Sequence, residues 1–165
     1  MSADNQQGRL SDALCYYIAG FVDGEGSFHI AIQKSLNVKM GWQVIPEFHV
    51  SQNQDRIVVS EAIQKVFGCG YIRPNHRTRK NDNTFVFVVR NHRDLKERVI
   101  PFFKKFKLIS AKNDDFCKFA AVVEMITRDS HLQREGLKEI IKIAFSMNNN
   151  GKNRKLKISN IVNSF

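Results

Sequence analysis

The stretch Ile18-Ala19-Gly20-Phe21-Val22-Asp23-Gly24-Glu25-Gly26, running on into Ser27-Phe28, commits the chain to a helix that stops abruptly and turns into a strand. Leu14, Tyr17, Ile18, Phe21 and Val22 recur at i, i+3, i+4, i+7 and i+8, the spacing of a wide apolar helix face. Ser11 or Asp12 is placed to cap its start, and Gly24 and Gly26 to end it. A second face carries Ala13, Tyr16, Gly20 and Gly24, small enough in places for another backbone to come close. The acids fall where a helix least favours them. Asp23 and Glu25 sit at the C-terminus, against the macrodipole, which makes sense if a cation is recruited there.

Beyond the turn, Phe28, Ile30 and Ile32 alternate with His29, Ala31 and Gln33, the period of a strand buried on one face. Ser35 to Gly41 is a polar connection. A second strand sets Trp42, Val44, Pro46, Phe48 and Val50 on one face and Gln43, Ile45, Glu47, His49 and Ser51 on the other, with Pro46 arguing for an edge or a bulge. A helix from Asn53 or Asp55 stops at Gly68. Tyr71-Ile72-Arg73 opens a third strand, Pro74 to Asn83 form a basic tip, and Thr84 to Arg90 form a fourth strand too apolar for its facing to be read. Asp94 to Phe106 reads as a helix interrupted at Pro101, and two further helices are expected over about 113–127 and 130–147, with His131 able to cap the second. The organisation expected is an N-terminal extension (1–10), one domain (11–147) and a basic tail (148–165).

The chain has 165 residues, enough for one domain with a real core, and 42% hydrophobic and 25% charged residues are ordinary for a globular protein. Its formal net charge of +10 is not ordinary and points to a polyanion. No apolar run approaches the roughly 18 residues of a membrane span. The first residues lack the pattern of a signal peptide and make a poor transit peptide. Cys15, Cys69 and Cys117 are odd in number, widely spaced and set among apolar or Gly neighbours, as expected of reduced thiols in an intracellular protein.

The nonapeptide resembles the LAGLIDADG motif of homing endonucleases, in the form with Glu as second acid, and the order α-β-β-α-β-β-α resembles that of the family's domains. The resemblance implies an α+β fold: a four-stranded antiparallel saddle with helices on its convex face and extra C-terminal helices. It also implies a homing endonuclease, an enzyme that hydrolyses phosphodiesters in a long, nearly palindromic double-stranded DNA site, with divalent metal (Mg²⁺ or Mn²⁺), leaving short 3′ overhangs. One copy of the motif implies a homodimer, with Tyr16, Ala19, Gly20 and Asp23 at the helix interface. Glu25, beside the Gly24 carbonyl, matches the metal ligand. Gln52 matches a residue that orients water, Arg56 a cation near the cleaved phosphate, and Lys112 an active-site lysine, with Lys104, Lys105 and Lys107 as alternatives for that role.

On such a sheet the exposed parity reads bases while Lys and Arg bind phosphate. That selects His29, Gln33 and Ser35 on the first strand, Glu47, His49 and Ser51 on the second, and Tyr71, Arg73 and Asn75 on the third. His76, Arg77, Arg79 and Lys80 at the tip are candidates for the backbone or outer bases. Two other functions stay open: a maturase that binds intron RNA to assist splicing, and a dimeric DNA-binding protein without catalysis. Bacterial cytoplasm, chloroplast and mitochondrion all host genes of this kind, so the compartment is open as well.

Overall fold

The computed structural model describes residues 4–75, 83–148 and 156–164, with side chains from residue 12 onwards. Helix α1 (Asp4–Glu25) leads directly into β1 (Gly26–Lys34), which is followed by β2 (Trp42–Asn53), a 3₁₀ turn (Gln54–Arg56) and α2 (Ile57–Phe67). Strands β3 (Tyr71–Pro74) and β4 (Thr84–Val89) complete one antiparallel sheet in the order β1-β2-β4-β3. A continuous helical run follows, made of α3 (His92–Asp94), a π turn (Leu95–Val99) and α4 (Ile100–Lys105). Then come α5 (Lys112–Thr127), a 3₁₀ turn (Ser130–Leu132), α6 (Arg134–Phe145) and α7 (Ile158–Val162). The α+β saddle is therefore the observed architecture.

The strand facing expected from alternation is the facing seen. Phe28, Ile30, Ile32, Trp42, Val44, Phe48 and Val50 are buried on the helix side. Phenylalanine dominates the centre: Phe28 stacks on Phe48 at 5.2 Å and meets Phe103, Phe116 and Phe119 at 5.3–5.4 Å between ring centroids. These offset and edge-on contacts add about 0.5–1.5 kcal/mol each beyond area burial. Helices α5 and α6 close the core with Phe116, Phe119, Val122, Val123 and Ile126 and with Leu137, Ile140, Ile141 and Ala144.

Several expectations are corrected. Among the described residues helix α1 runs from Asp4, so Ser11 and Asp12 lie within it and not at its start. The preceding residues are adequate helix formers, and Gly8 costs only about 1 kcal/mol. The buried face of α1 is Cys15, Ile18, Ala19 and Val22, while Leu14 and Tyr17 are exposed, so the apolar stripe is wider than this chain covers. Pro46 lies on a locally open edge of β2, as expected, and not in a bulge. It pairs opposite Ile30 in an unbroken register, at a point where β2 has β1 alone as neighbour because pairing to β4 starts at Phe48.

Pro101 does not break its helix. The turn before it widens, with the Ile100 N–H bonding to the Leu95 carbonyl, which relieves the clash a proline ring makes with a regular α-turn. The expected 130–147 helix is split at Gln133, which is extended at φ −106° and ψ 142°. The 3₁₀ turn folds back so that a Cβ on Gly136 would lie 2.0 Å from the Ser130 carbonyl. His131 caps nothing; its Nδ1 is buried without a partner among the described residues. The chain after 148 is more than a tail, because α7 packs on α6 and buries Ile161 completely. All three cysteines are free, but Cys117 is exposed rather than core-like. No described helix is long and apolar enough to cross a membrane.

Candidate active site and nucleic-acid face

The turn from α1 into β1 requires glycine at position 26: a Cβ there would lie 2.6 Å from Val22 Cγ1 and 2.9 Å from the Val22 carbonyl oxygen. This tight junction carries Asp23, Gly24 and Glu25 to one end of the sheet. Asp23 turns back into its own chain. Its Oδ2 accepts the N–H groups of Ile109 (3.0 Å) and Ser110 (2.9 Å), and its Oδ1 accepts the Ser110 hydroxyl (2.5 Å). Burial pushes the Asp23 pKa up, but the Ser110 and Ile109 hydrogen bonds and the nearby Lys112 ammonium outweigh it, and the carboxyl titrates below its usual range. Ser110 Oγ also accepts the Lys112 N–H at 3.1 Å, starting α5 beside the end of α1.

Lys112 then reaches across. Its Nζ donates to the Gly24 carbonyl at 3.2 Å and to the Gly26 carbonyl at 2.5 Å. Burial lowers its pKa, against the opposing pull of Asp23, Glu25 and Asp115. Of the lysines left open by sequence, Lys104 and Lys107 are exposed and Lys105 pairs with Asp12 at 3.6 Å; Lys112 alone of the four bonds to this junction. Glu25 is exposed, and among the described residues its carboxylate makes no hydrogen bond or salt bridge.

Gln52 and Arg56 follow from the register. Gly26 pairs with Val50, so Gln52 lies level with the end of α1, on the buried parity of β2. Arg56 is exposed in the 3₁₀ turn just beyond. The end of α1, the end of β2 and the start of α5 thus form one corner.

No group of three His, Cys, Asp or Glu side chains is close enough to hold a metal among the described residues. At the end of α1 one chain offers the Glu25 carboxylate, without a partner among the described residues, and the Gly24 carbonyl, whose second lone pair is left by Lys112. That donor set does not suit a closed protein cage. It suits half of a site for a hard ion such as Mg²⁺ or Mn²⁺, which keeps waters and takes one or two carboxylates with phosphate oxygens.

On the face of the sheet away from the helices the register builds rows across the strands. Ser27, His49, Val88 and Tyr71 form one; Ser51, Val86 and Arg73 form another. Val86 and Val88 are buried there, a floor beneath the polar side chains, and so β4 reads as apolar on both faces. His29 stands opposite Glu47, and Gln33 Nε2 donates to Gln43 Oε1 at 3.2 Å. Burial lowers the His49 pKa, with Glu47 opposing and Arg73 and Arg90 reinforcing.

Two assignments change on this face. Glu47 is only 8% exposed and is held by Arg90 at 2.7 Å, so the group the pair presents to a ligand is the guanidinium. Arg90 escaped sequence reading because the parity of its strand was illegible. Ser35 lies past the end of β1, its hydroxyl accepting the Asn37 N–H within the hairpin turn at 3.3 Å. Arg73 Nη1 donates to the Pro74 carbonyl, Tyr71 is exposed on the edge strand, and Asn75 bonds through its N–H to the Thr84 carbonyl. His76, Arg77, Arg79 and Lys80 lie outside the described residues.

Of the expected interface residues, Tyr16 and Gly20 are exposed on α1, with Tyr16 set edge-on to Phe106 at 5.0 Å. Ala19 is buried with Cys15 and Phe106, so its methyl faces this chain's own core and not a second copy. Asp23 is engaged by the 109–110 loop, as above, which is an intrachain role.

A family model described as LAGLIDADG endonuclease matches residues 18–123. The chain is 35% identical over 134 residues to Probable intron-encoded endonuclease 2 of Neurospora crassa, covering 80% of this chain and 28% of that protein. It is 32% identical over 124 residues to DNA endonuclease I-CeuI of Chlamydomonas moewusii, covering 73% of this chain and 56% of that protein. The chain therefore spans 56% or less of the length of these two curated relatives. The crystal structure of a homing endonuclease, I-TnaI, superposes with a TM-score of 0.77 at 36% identity, over 91% of this chain and 94% of that one. The LAGLIDADG homing endonuclease I-LtrWI, bound to its target DNA, gives 0.79 at 36% identity, over 84% of this chain and 45% of that one.

Proposed function

Because the chain belongs to the LAGLIDADG endonuclease family, we propose that it is a site-specific DNA endonuclease that works as a homodimer with a divalent metal, Mg²⁺ or Mn²⁺. The observation that carries this reading is the end of α1: Glu25 is left free beside a lysine that spans the carbonyls on either side of it. A bound divalent ion supplies charge stabilisation at the transferring phosphoryl group and lowers the pKa of water. Glu25 and the Gly24 carbonyl would hold it, shared with the same atoms of a second copy. Lys112, fixed at the junction, offsets charge developing on the phosphate. Gln52, which both donates and accepts, orients the attacking water, and Arg56 adds a second positive charge at the same corner.

The saddle face supplies the fit to a duplex. Its polar rows stand over a rigid apolar floor, and the excess of basic residues favours the phosphate backbone. The exposed Gly20 and Tyr16 side of α1 suits close packing against the same helix of another copy. Incubating the protein with a library of randomised duplexes, with Mg²⁺ or with EDTA, and sequencing the ends tests this directly. Mg²⁺-dependent double-strand ends at one nearly palindromic sequence are expected. Selective binding without any cut in Mg²⁺ or Mn²⁺ would overturn the enzymatic reading.

A further inference from the structure

We propose that the segment carrying α7 braces the far end of the β1–β2 ribbon, and that Trp42 and Ser164 are positioning residues for the side chains this ribbon presents on the saddle face. The proposal rests on that face being the DNA interface and extends it to a part of the chain with no assigned role.

Pairing of β2 to β4 starts at Phe48, so from Phe48 out to Trp42 the sheet is two strands wide. A two-stranded ribbon is marginal in water unless something packs on it. Here the helix side is packed. Ile32, Trp42 and Val44 share one buried cluster with Ile161 of α7. At the extreme end, the indole N–H of Trp42 donates to Ser164 Oγ at 2.7 Å, and that hydroxyl donates to the Ile161 carbonyl at 2.6 Å. Ser164 therefore uses its acceptor and its donor at once and ties Trp42 to the last turn of α7. Lys34, the cross-strand partner of Trp42, places its ammonium 5.7 Å from the centre of the indole ring.

The next pair along the ribbon faces the other way. Gln33 and Gln43, hydrogen-bonded across the strands, stand on the saddle side immediately beside Lys34 and Trp42. Because successive side chains alternate, fixing the indole on one face fixes the glutamine pair on the other. The lever is long: about five residues at roughly 3.4 Å each put the glutamines ~17 Å from the nearest β4 pairing, so a tilt of about 10° would move them by ~3 Å. That exceeds the tolerance of roughly 0.5 Å within which a recognition group keeps its geometry. The brace therefore acts on the outermost base contacts of each half-site and leaves the corner around Glu25 unchanged.

Amide hydrogen exchange on the free protein, followed by cleavage profiling, tests the brace. Ser164→Ala should speed exchange of the amides of residues 32–34 and 42–44 about fivefold, the ratio corresponding to one net hydrogen bond of about 1 kcal/mol. Ser164→Thr, which keeps the hydroxyl, should restore protection, and truncation after Lys157 should give a larger loss in the same amides. Amides of residues 86–89 should not change in the point variants. On a randomised target library, Ser164→Ala and Trp42→Phe should relax base discrimination at the outer positions by about fivefold, with kcat on the preferred site unchanged. Unchanged ribbon exchange in both Ser164→Ala and the truncation would overturn the proposal. So would equal loss across the whole sheet, or discrimination relaxed evenly at every position. If no duplex is bound or cut, the endonuclease reading fails, and the exchange arm still decides whether the brace exists.

Discussion

Replacing Asp23 with alanine tests whether the end of α1 is held from within its own chain. The carboxylate accepts two loop N–H groups and one hydroxyl, at 3.0, 2.9 and 2.5 Å. A net hydrogen bond to a charged group contributes about 1.5–3 kcal/mol, and three bonds sharing one carboxylate near solvent do not add in full. Taking the lower end, and two bonds' worth, gives a loss of about 3 kcal/mol. Water reaches the freed N–H groups, so no burial penalty is added. In a chain of 165 residues this lowers Tm by roughly 6–12 °C. Asp23→Asn, with one acceptor oxygen left, should lose about half as much. The assay is urea or thermal unfolding at one fixed protein concentration, since the proposed dimer would make Tm concentration-dependent.

The pH dependence supplies an internal check. The folded pKa of Asp23 lies below its usual 3.8: burial works against this, and the bonds from Ser110 and Ile109 prevail. Between the two values the unfolded chain binds more protons, so the contribution is complete above about pH 3.8 and is lost as pH falls towards the folded value. The gap between wild type and Asp23→Ala should therefore shrink in acid. A loss under about 0.5 kcal/mol at neutral pH, or a gap that is flat with pH, would refute the tether.

Other variants separate the roles around it. Glu25→Gln should reduce cleavage by at least ~10³-fold while leaving the DNA dissociation constant within about threefold, measured by single-turnover cleavage and by binding in Ca²⁺ or EDTA. Lys112→Met should cost about 10²–10⁴-fold in cleavage. It should also flatten stability in alkali: burial lowers the Lys112 pKa below 10.5, so the unfolded state binds more protons there and wild-type stability gains as pH rises through that window. Gly26→Ala places its methyl against Val22 backbone and side chain and should cost about 1–3 kcal/mol, read as Tm. A Cβ at Gly20 meets nothing within 4 Å in this chain, so with Gly20→Leu the monomer should gain slightly from helix propensity while sedimentation shows the proposed dimer dissociating. A dimer unchanged by that leucine would remove α1 as the interface.

What could be read from sequence was what repeats locally. The alternation of β1 and β2 reports directly on one buried face, and the seen facing follows it residue by residue. Strand β4 defeated the same logic because Val86 and Val88 are buried on the saddle side and Phe87 and Val89 on the helix side. With that parity hidden, Arg90 was hidden too, and Glu47 passed for a free acceptor. The break at Gln133 depends on Ser130 folding against Gly136, a contact that no propensity expresses. Asp23 meets Ser110 across 87 positions and Trp42 meets Ser164 across 122, so neither bond leaves a local trace. The resemblance places Ala19 at the interface with Gly20; a helix turns by about 100° per residue, which is enough to carry Ala19 onto Phe106 instead.

The two acids at the end of α1 pose one electrostatic problem, and the fold answers it unequally. A helix C-terminus presents unpaired carbonyls, so carboxylates placed there are repelled. Lys112 takes the Gly24 and Gly26 carbonyls, and the 109–110 loop takes Asp23. Both donors come from the start of α5, which Ser110 positions by bonding to Asp23 and to the Lys112 N–H. Every element of that circuit relieves a charge or a carbonyl except Glu25, whose carboxylate stays exposed and without a hydrogen bond among the described residues. Glu25 feels the Lys112 ammonium but makes no hydrogen bond, so that attraction is set against the repulsion of the helix end. A carboxylate left open beside carbonyls already held in place is what the proposed divalent site would draw on, and one such group per copy fits the proposed sharing of that site between two copies.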